Sequence, residues 1–426
     1  MSKIFNLRDF GAQPGGAVCT KAIQAALDAA AACGGQVLVP AGTFVTGALF
    51  LKSNTTLILQ EGATLQAVRD ESAYPLLPTR VAGVEMAWPA ALFNIRNAQN
   101  VSICGVGTVN GQGDFWWEKY WGKDRHGGMR KAYEAQGLRW AVDYDCFRVR
   151  NVAVWRSSKV QIEGIRLERS GFWNLHLCYG AEITVRGVTI ADNQGPSTDG
   201  IDIDSCRGVV VESCQIACND DNICLKSGRD ADGLRVNQAC EDVLIRHCTL
   251  LDGEGITLGS ETSGGIRNVR IENNTLVGTK NGLRLKSAKT RGGTLENIAV
   301  QGLTMRGVAR PFTFQFNWYP AYSYCAVPAG YTGPMPEYWA ALTAPVPPAL
   351  GLPHAKNITI QNVKAARGPG DSGPAQAFDL QGLPEAPFEN IRFENIAVES
   401  KAFGEIQNVC GLTFDNVCVT VVEEKA

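Results

Sequence analysis

Two acidic runs carry the residues best suited to chemistry. Ser197-Thr-Asp-Gly-Ile-Asp-Ile-Asp204 holds Asp199, Asp202 and Asp204, and Asn219-Asp-Asp-Asn222 holds Asp220 and Asp221. Asp199 and Asp220 are 21 residues apart. If the chain makes one circuit in that interval, these carboxylates crowd on adjacent strands about 4.8 Å apart. Like charges that close drive their pKa values apart. Carboxyls with divergent pKa values are what glycoside hydrolysis needs, one to protonate the leaving oxygen and another to activate water. Farther on, Arg284 and Lys286 stand two residues apart in Gly282-Leu-Arg-Leu-Lys286. Residues i and i+2 of a strand share a face, so both cations can point at one anionic ligand. Lys226 and Arg229 add positive charge just beyond the aspartate pair. Carboxylates beside cations suit an acidic sugar.

The elements that must position these groups follow from a repeat. A nine-residue pattern, apolar at its second, fourth, seventh and usually ninth positions, starts at Lys159, Glu182, Gly208, Asp242, Asn268 and Asn297. Looser copies start at Asn100, Asn357, Asn390 and Gly411. The alternation makes each half a strand, with a two-residue corner between. A unit this short cannot bury its own apolar face and must stack on copies of itself. The expected fold is all-β, a single-stranded right-handed parallel β-helix with one coil per repeat. Glycine, at 46 of 426 residues, would serve the corners. Residues 1–60 read as an N-terminal cap and first coils, with the alanine-rich stretch from Thr20 to Ala32 as a capping helix. Two insertions are expected, at about 111–145 and 310–354. The first carries Trp116, Trp117, Trp121 and Trp140; the second runs from Phe312, Phe314 and Phe316 through Trp318 and Tyr319 to Trp339. No linker interrupts the chain, so residues 1–426 read as a single domain.

Composition narrows the function classes. Lys and Arg number 40 against 42 Asp and Glu, a formal net charge of −2, which argues against a general nucleic-acid binder. The first residues lack a signal-peptide core, and no window approaches the ~20 apolar residues of a membrane span. The sequence as given therefore reads as cytoplasmic, with a periplasmic or secreted location if a leader was trimmed. The fourteen cysteines read as reduced core filler rather than disulfides or zinc ligands. Cys206, Cys214, Cys224 and Cys248 are expected in strands. Asp202 and Asp204 alternate with isoleucines and read as solvated or corner residues. All four histidines read as structural, His176 being the first exception to look for.

The ordered motifs resemble glycoside hydrolase family 28, the polygalacturonases and their relatives, which share the pectin-lyase-like solenoid. The family pattern is Asn-Thr-Asp-Gly, Asp-Asp, Gly-His-Gly, then Arg-Ile-Lys on successive coils. The matching segments are Ser197-Thr-Asp-Gly200, Asp220-Asp221, Gly253-Glu-Gly255 and Arg284-Leu-Lys286. The likeness runs from about Asp9 through Arg291, taking in Gly111-Gln-Gly-Asp-Phe-Trp-Trp117 and Gly259-Ser-Glu-Thr-Ser-Gly-Gly265. It implies that Asp220 is the general acid, that Asp199 and Asp221 hold and deprotonate the attacking water, and that the anomeric centre is inverted. A water-filled gap of about 6.5–9.5 Å between acid and base would accompany inversion. Arg284 and Lys286 would bind the galacturonate carboxylate near the cut.

Two positions depart from the pattern. Ser197 replaces an asparagine, a mild change. Glu254 replaces the family histidine and adds negative charge, which would raise the pKa of the acid. That change suggests a different leaving-side sugar, such as the neutral rhamnose of rhamnogalacturonan. Glu254 and Lys226 thus join the candidate substrate-binding residues, with Trp116 or Trp117 as a stacking wall for sugar faces. The expected activity is an exo-acting α-galacturonidase on pectin-derived oligosaccharides. No metal, cofactor, nucleic-acid or membrane partner is expected, and the oligomeric state is open. The alternatives are a β-helix polysaccharide lyase and a non-catalytic carbohydrate-binding solenoid.

Overall fold

Each nine-residue repeat opens on a left-handed bend. Asn100, Lys159, Glu182, Asp242, Asn268, Asn297, Asn357 and Asn390 all have φ between 54° and 56°. The sixth position bends the same way: Gly164, Gly187, Ser213, His247, Asn273 and Gly302 have φ between 53° and 74°. Asparagine and glycine adopt that conformation at least cost, which is why they gather there. Between bends the chain is extended, so one repeat supplies two short strands, as in Ser158–Glu163 and Arg166–Glu168.

The computed structural model describes residues 3–368 and 373–422. In it the paired strands of each repeat form a broad folded sheet, and a third strand per coil builds a second sheet of eleven strands in chain order. Neighbouring coils pair in parallel and in register: Ile201 lies opposite Ile223, Ile223 opposite Ile256, and Ile256 opposite Leu283. The fold is a right-handed parallel β-helix. Its interior is one apolar column running from Leu7 to Val398. At the first bend, Asn100 donates to Asn54, Asn297 to Asn268 and Asn390 to Asn357, at 2.7–3.3 Å. The α-helix Thr20–Ala31 turns Ile23, Ala26, Leu27 and Ala30 onto the first coils, as expected of a cap.

Several expectations need correction. The cysteines are free thiols, but Cys206, Cys214 and Cys248 sit at corners rather than in strands, their side chains filling the column. Cys224 is in a strand, yet faces outward beside Asp202 and Thr257. The second insertion starts later than its aromatic content suggests. Arg310–Gln315 is a strand of the eleven-stranded sheet, and Phe312, Phe314 and Phe316 belong to the core. The first insertion folds into helices Asp114–Trp121, Gly128–Ala135 and Val142–Asp145. A third excursion was not foreseen: an antiparallel hairpin, Leu76–Val81 with Val84–Pro89, whose turn residues Ala82 and Gly83 both have positive φ. The hairpin and both insertions pack together through Trp88, Trp140, Tyr144 and Trp339. Among the described residues, no helix is long and apolar enough to cross a membrane.

Candidate active site

The alternation that buries Ile201, Ile203, Ile223 and Leu225 in the column turns Asp202, Asp204, Cys224 and Lys226 outward. Register then aligns these outward residues across coils. One row reads His176, Asp202, Cys224, Thr257, Arg284 and Thr313. A second aligns Cys178, Asp204 and Lys226. Asp199, Asp220, Asp221 and Glu254 stand on the turns just before these strands. Their backbones are tied coil to coil, the Gly200 N–H donating to Asp221 O and the Glu254 N–H to Asp220 O, both at 2.9 Å. Gly255 must be glycine: its φ is +84°, and a Cβ there would lie 2.1 Å from the Asn281 carbonyl oxygen.

One oxygen from each of Asp199, Asp220 and Asp221 falls within 4.8 Å of the others. This nearest approach is shorter than the gap of about 6.5–9.5 Å expected to accompany inversion. The three carboxyls differ sharply in surroundings. Asp221 is buried, and burial alone would raise its pKa. Lys286 Nζ at 2.7 Å, with Arg284 and Lys226 nearby, outweighs burial and holds Asp221 well below the usual carboxylate range. Thr257 Oγ1 also donates to it at 2.6 Å. Asp220 is half-buried, and its pKa is raised by desolvation, then by Asp221, with Glu254 pushing the same way and Lys286 opposing. Asp199 is raised well above its ordinary value by burial, then by Asp202 and Asp220. The site therefore places an ionised carboxylate beside two that favour a proton. Three carboxyl oxygens at this spacing could also share a cation, but Lys286 already supplies positive charge there.

Asp202 and Asp204, expected to be solvated, are fully buried. Strand parity does turn them outward, but other elements pack over them. Arg80 donates from the hairpin to Asp204 at 2.9 Å, and His176 Nε2 lies 3.5 Å from the same carboxyl. Among the described residues, neither oxygen of Asp202 has a hydrogen-bond partner. Lys226 Nζ is 3.6 Å away, and burial pushes the Asp202 pKa to about 8 despite that cation. His176 is buried against Trp173, and burial followed by Arg150 lowers its pKa to about 4.

Every predicted cation is engaged. Lys226 donates to Glu261 at 3.1 Å, and Arg284 Nη1 donates to Glu254 at 3.0 Å. Arg229 does not face the site: it is buried, donating to Tyr144 Oη and Tyr322 O at 2.8 Å and so anchoring the second insertion. Trp116 and Trp117 are no sugar wall either. Both are buried in the core, with Trp117 Nε1 donating to Ser170 O. The cavity over the carboxylates, about 220 Å³, is instead walled by Trp173, Trp318, Tyr319 and Tyr322, with Arg139 and Ala82 from the first insertion and the hairpin. Trp318 stands over Lys286, ring centroid to Nζ 4.6 Å. Glu261 was also missed, although its position in Gly259–Gly265, one coil beyond Lys226, was a usable signal.

The chain is similar to known proteins. A grape (Vitis vinifera) protein named "probable polygalacturonase" is 30% identical over 379 residues, covering 87% of this chain and 68% of its own length. The exo-poly-alpha-D-galacturonosidase of Dickeya chrysanthemi is 27% identical, with 72% of this chain and 56% of that protein covered. The crystal structure of a hyperthermoactive exopolygalacturonase from Thermotoga maritima superposes with a TM-score of 0.81 at 26% identity, covering 98% of this chain and 92% of that one. The pattern of the glycosyl hydrolases family 28 matches residues 31–331. The match begins later than Asp9 and runs past Arg291 into the second insertion. Because it takes in the acidic turns, the Gly-Glu-Gly turn and the cation strand on consecutive coils, the chain belongs to glycosyl hydrolases family 28.

Proposed function

We propose that the enzyme removes α-galacturonosyl residues one at a time from the end of pectin-derived oligosaccharides, inverting the anomeric centre. One observation carries this reading: Lys286 keeps Asp221 ionised while Asp220, beside it, favours its proton. Asp220 protonates the glycosidic oxygen as the bond to the anomeric carbon breaks. Asp221 takes the proton of a water that Asp199 helps to hold, as the water oxygen bonds to that carbon. The hydrogen bond from Lys286 to Asp221 uses one of its three ammonium donors, leaving two for the substrate carboxylate. Lys226 approaches from two coils before Lys286, and Trp318 and Trp173 line the cavity where a sugar ring would stack.

Exo action is supported by the names of the Thermotoga and Dickeya relatives and by the walls that the hairpin and both insertions add to the cavity. The test is to incubate the enzyme with galacturonan polymer and with defined homogalacturonan and rhamnogalacturonan oligosaccharides, sizing products from the first minutes. Free galacturonate, appearing first as the β-anomer by proton NMR, is expected. Early internal fragments overturn exo action, an α-anomer overturns inversion, and unsaturated products absorbing in the ultraviolet point to a lyase.

A further inference from the structure

Glu254 is a carboxylate built into the cavity wall, and it has taken the partners a substrate carboxylate would seek. Its oxygens accept from Lys280 Nζ at 2.6 Å, Asn281 Nδ2 at 2.9 Å and Arg284 Nη1 at 3.0 Å. Arg284 is mostly buried, and beyond Glu254 its nearest anion is Asp221, at 3.8 Å. Asp199, Asp220 and Glu254 follow one another on successive coils. Glu254 bears on the charge of Asp220, whereas the groups bearing on Asp199 are Asp202, Asp220, Lys226 and Asp221. The water-holding carboxyl, the proton donor and Glu254 therefore lie in that order along the stack. Water attacks from the Asp199 side, so the departing group extends past Asp220 over Glu254 and Arg284. A second uronate there would bring its carboxylate against Glu254 and find Arg284 already occupied.

From this we infer that Glu254 sets leaving-group specificity, occupying Arg284 and Lys280 so that the enzyme prefers an uncharged group on the leaving side of the cut. The inference rests on the assignment of Asp220 as acid in the proposed function. Glu254 acts through Arg284 and is a positioning residue.

The test isolates charge from ring shape. Two probes are compared, α-1,4-digalacturonate and the same disaccharide methyl-esterified only at its reducing-end carboxyl. Wild type is expected to cleave the ester with kcat/KM roughly tenfold or more above the free acid, the worth of about one hydrogen bond to a charged group. Glu254→Gln should narrow or reverse that ratio, mainly through a lower KM for the free acid. Glu254→His serves as a second variant, and its ratio should move in the same direction. Thermal melts identify a variant that has merely lost its fold. A wild-type preference for the free acid overturns the inference, as does an equal fall on both probes in both folded variants. If wild type cleaves neither disaccharide, the proposed function fails and this inference falls with it.

Discussion

The broad sheet and the site sheet both stack one residue type on itself at coil spacing, with opposite consequences. On the broad sheet Asn390 donates to Asn357 at 2.7 Å. A carboxamide carries both donor and acceptor, so the ladder satisfies itself rung by rung. On the site sheet Asp199 and Asp221 stand on adjacent coils, and Asp199 Oδ1 has no hydrogen-bond partner among the described residues. One carboxylate cannot donate to another, so this stack must hold protons or take up cations, as Asp221 does from Lys286 two coils on. Repetition is self-supporting for one residue type and must be compensated for the other. A solenoid that keeps a compensated stack keeps it for chemistry, because hydrophobic residues would pack there at less cost.

Three changes probe that contrast. The largest effect is expected from Asp220→Asn, which removes the proposed proton donor. Turnover of galacturonan oligosaccharides should fall by about 10²–10⁴-fold, while the melting temperature holds or rises as one crowded charge is lost. A melt that drops with little change in turnover would make Asp220 a structural residue instead.

The next effect concerns pH. Asp202 has a folded pKa of about 8 against an ordinary 3.8. The native state therefore keeps a proton that the unfolded chain loses, so the group's stabilising contribution is full below about pH 4 and is lost as pH rises towards 8. Its slope is at most about 1.4 kcal/mol per pH unit. Asp221 has the opposite sign: its stabilisation is present above about pH 4 and is lost in more acidic solution. Urea unfolding at pH 5 and pH 8 should show Asp202→Asn flattening the decline seen in wild type.

The smallest effect is expected on the neutral ladder. Asn357→Ala loses one exposed hydrogen bond and puts a Cβ-bearing residue without a local amide at φ 55°. The cost should be about 1–2 kcal/mol by denaturant titration, with no dependence on pH. A pH-dependent loss there would mean that the two stacks are coupled.

Much of this was legible in residues 159–305, where the repeat shows the strands, the corners and the coil step. The acidic turns and the Arg-Leu-Lys strand could be placed on successive coils because parallel register carries sequence position directly into space. What the repeat could not show was what lies over the outer face. Strand parity turned Asp202 and Asp204 outward, but Asp204 is buried against a hairpin whose turn, Ala82-Gly83, lacks the usual Asn-Gly or Asp-Gly signature. Trp116 and Trp117 were misplaced for a related reason: aromatic residues on an insertion face either the ligand or the scaffold, and local sequence does not distinguish the two. Phe312 and Phe314 follow strand alternation and could have been read as a further coil. The pairing of Glu254 with Arg284 joins residues 30 apart, a contact that depends on side-chain reach.

The in-and-out alternation of the site sheet gives each of its strands a reading frame of two. Deleting one residue within Ile201–Asp204 would point aspartates into the apolar column and isoleucines at the substrate. Loops carry no such frame. The repeat starts from Lys159 to Asn297 are separated by 23, 26, 34, 26 and 29 residues, yet the strands they connect stay aligned. Variation in length is thus channelled into the walls of the cleft, while its floor stays in frame. New pockets in this scaffold can arise by lengthening or trimming a wall, without shifting a single carboxylate.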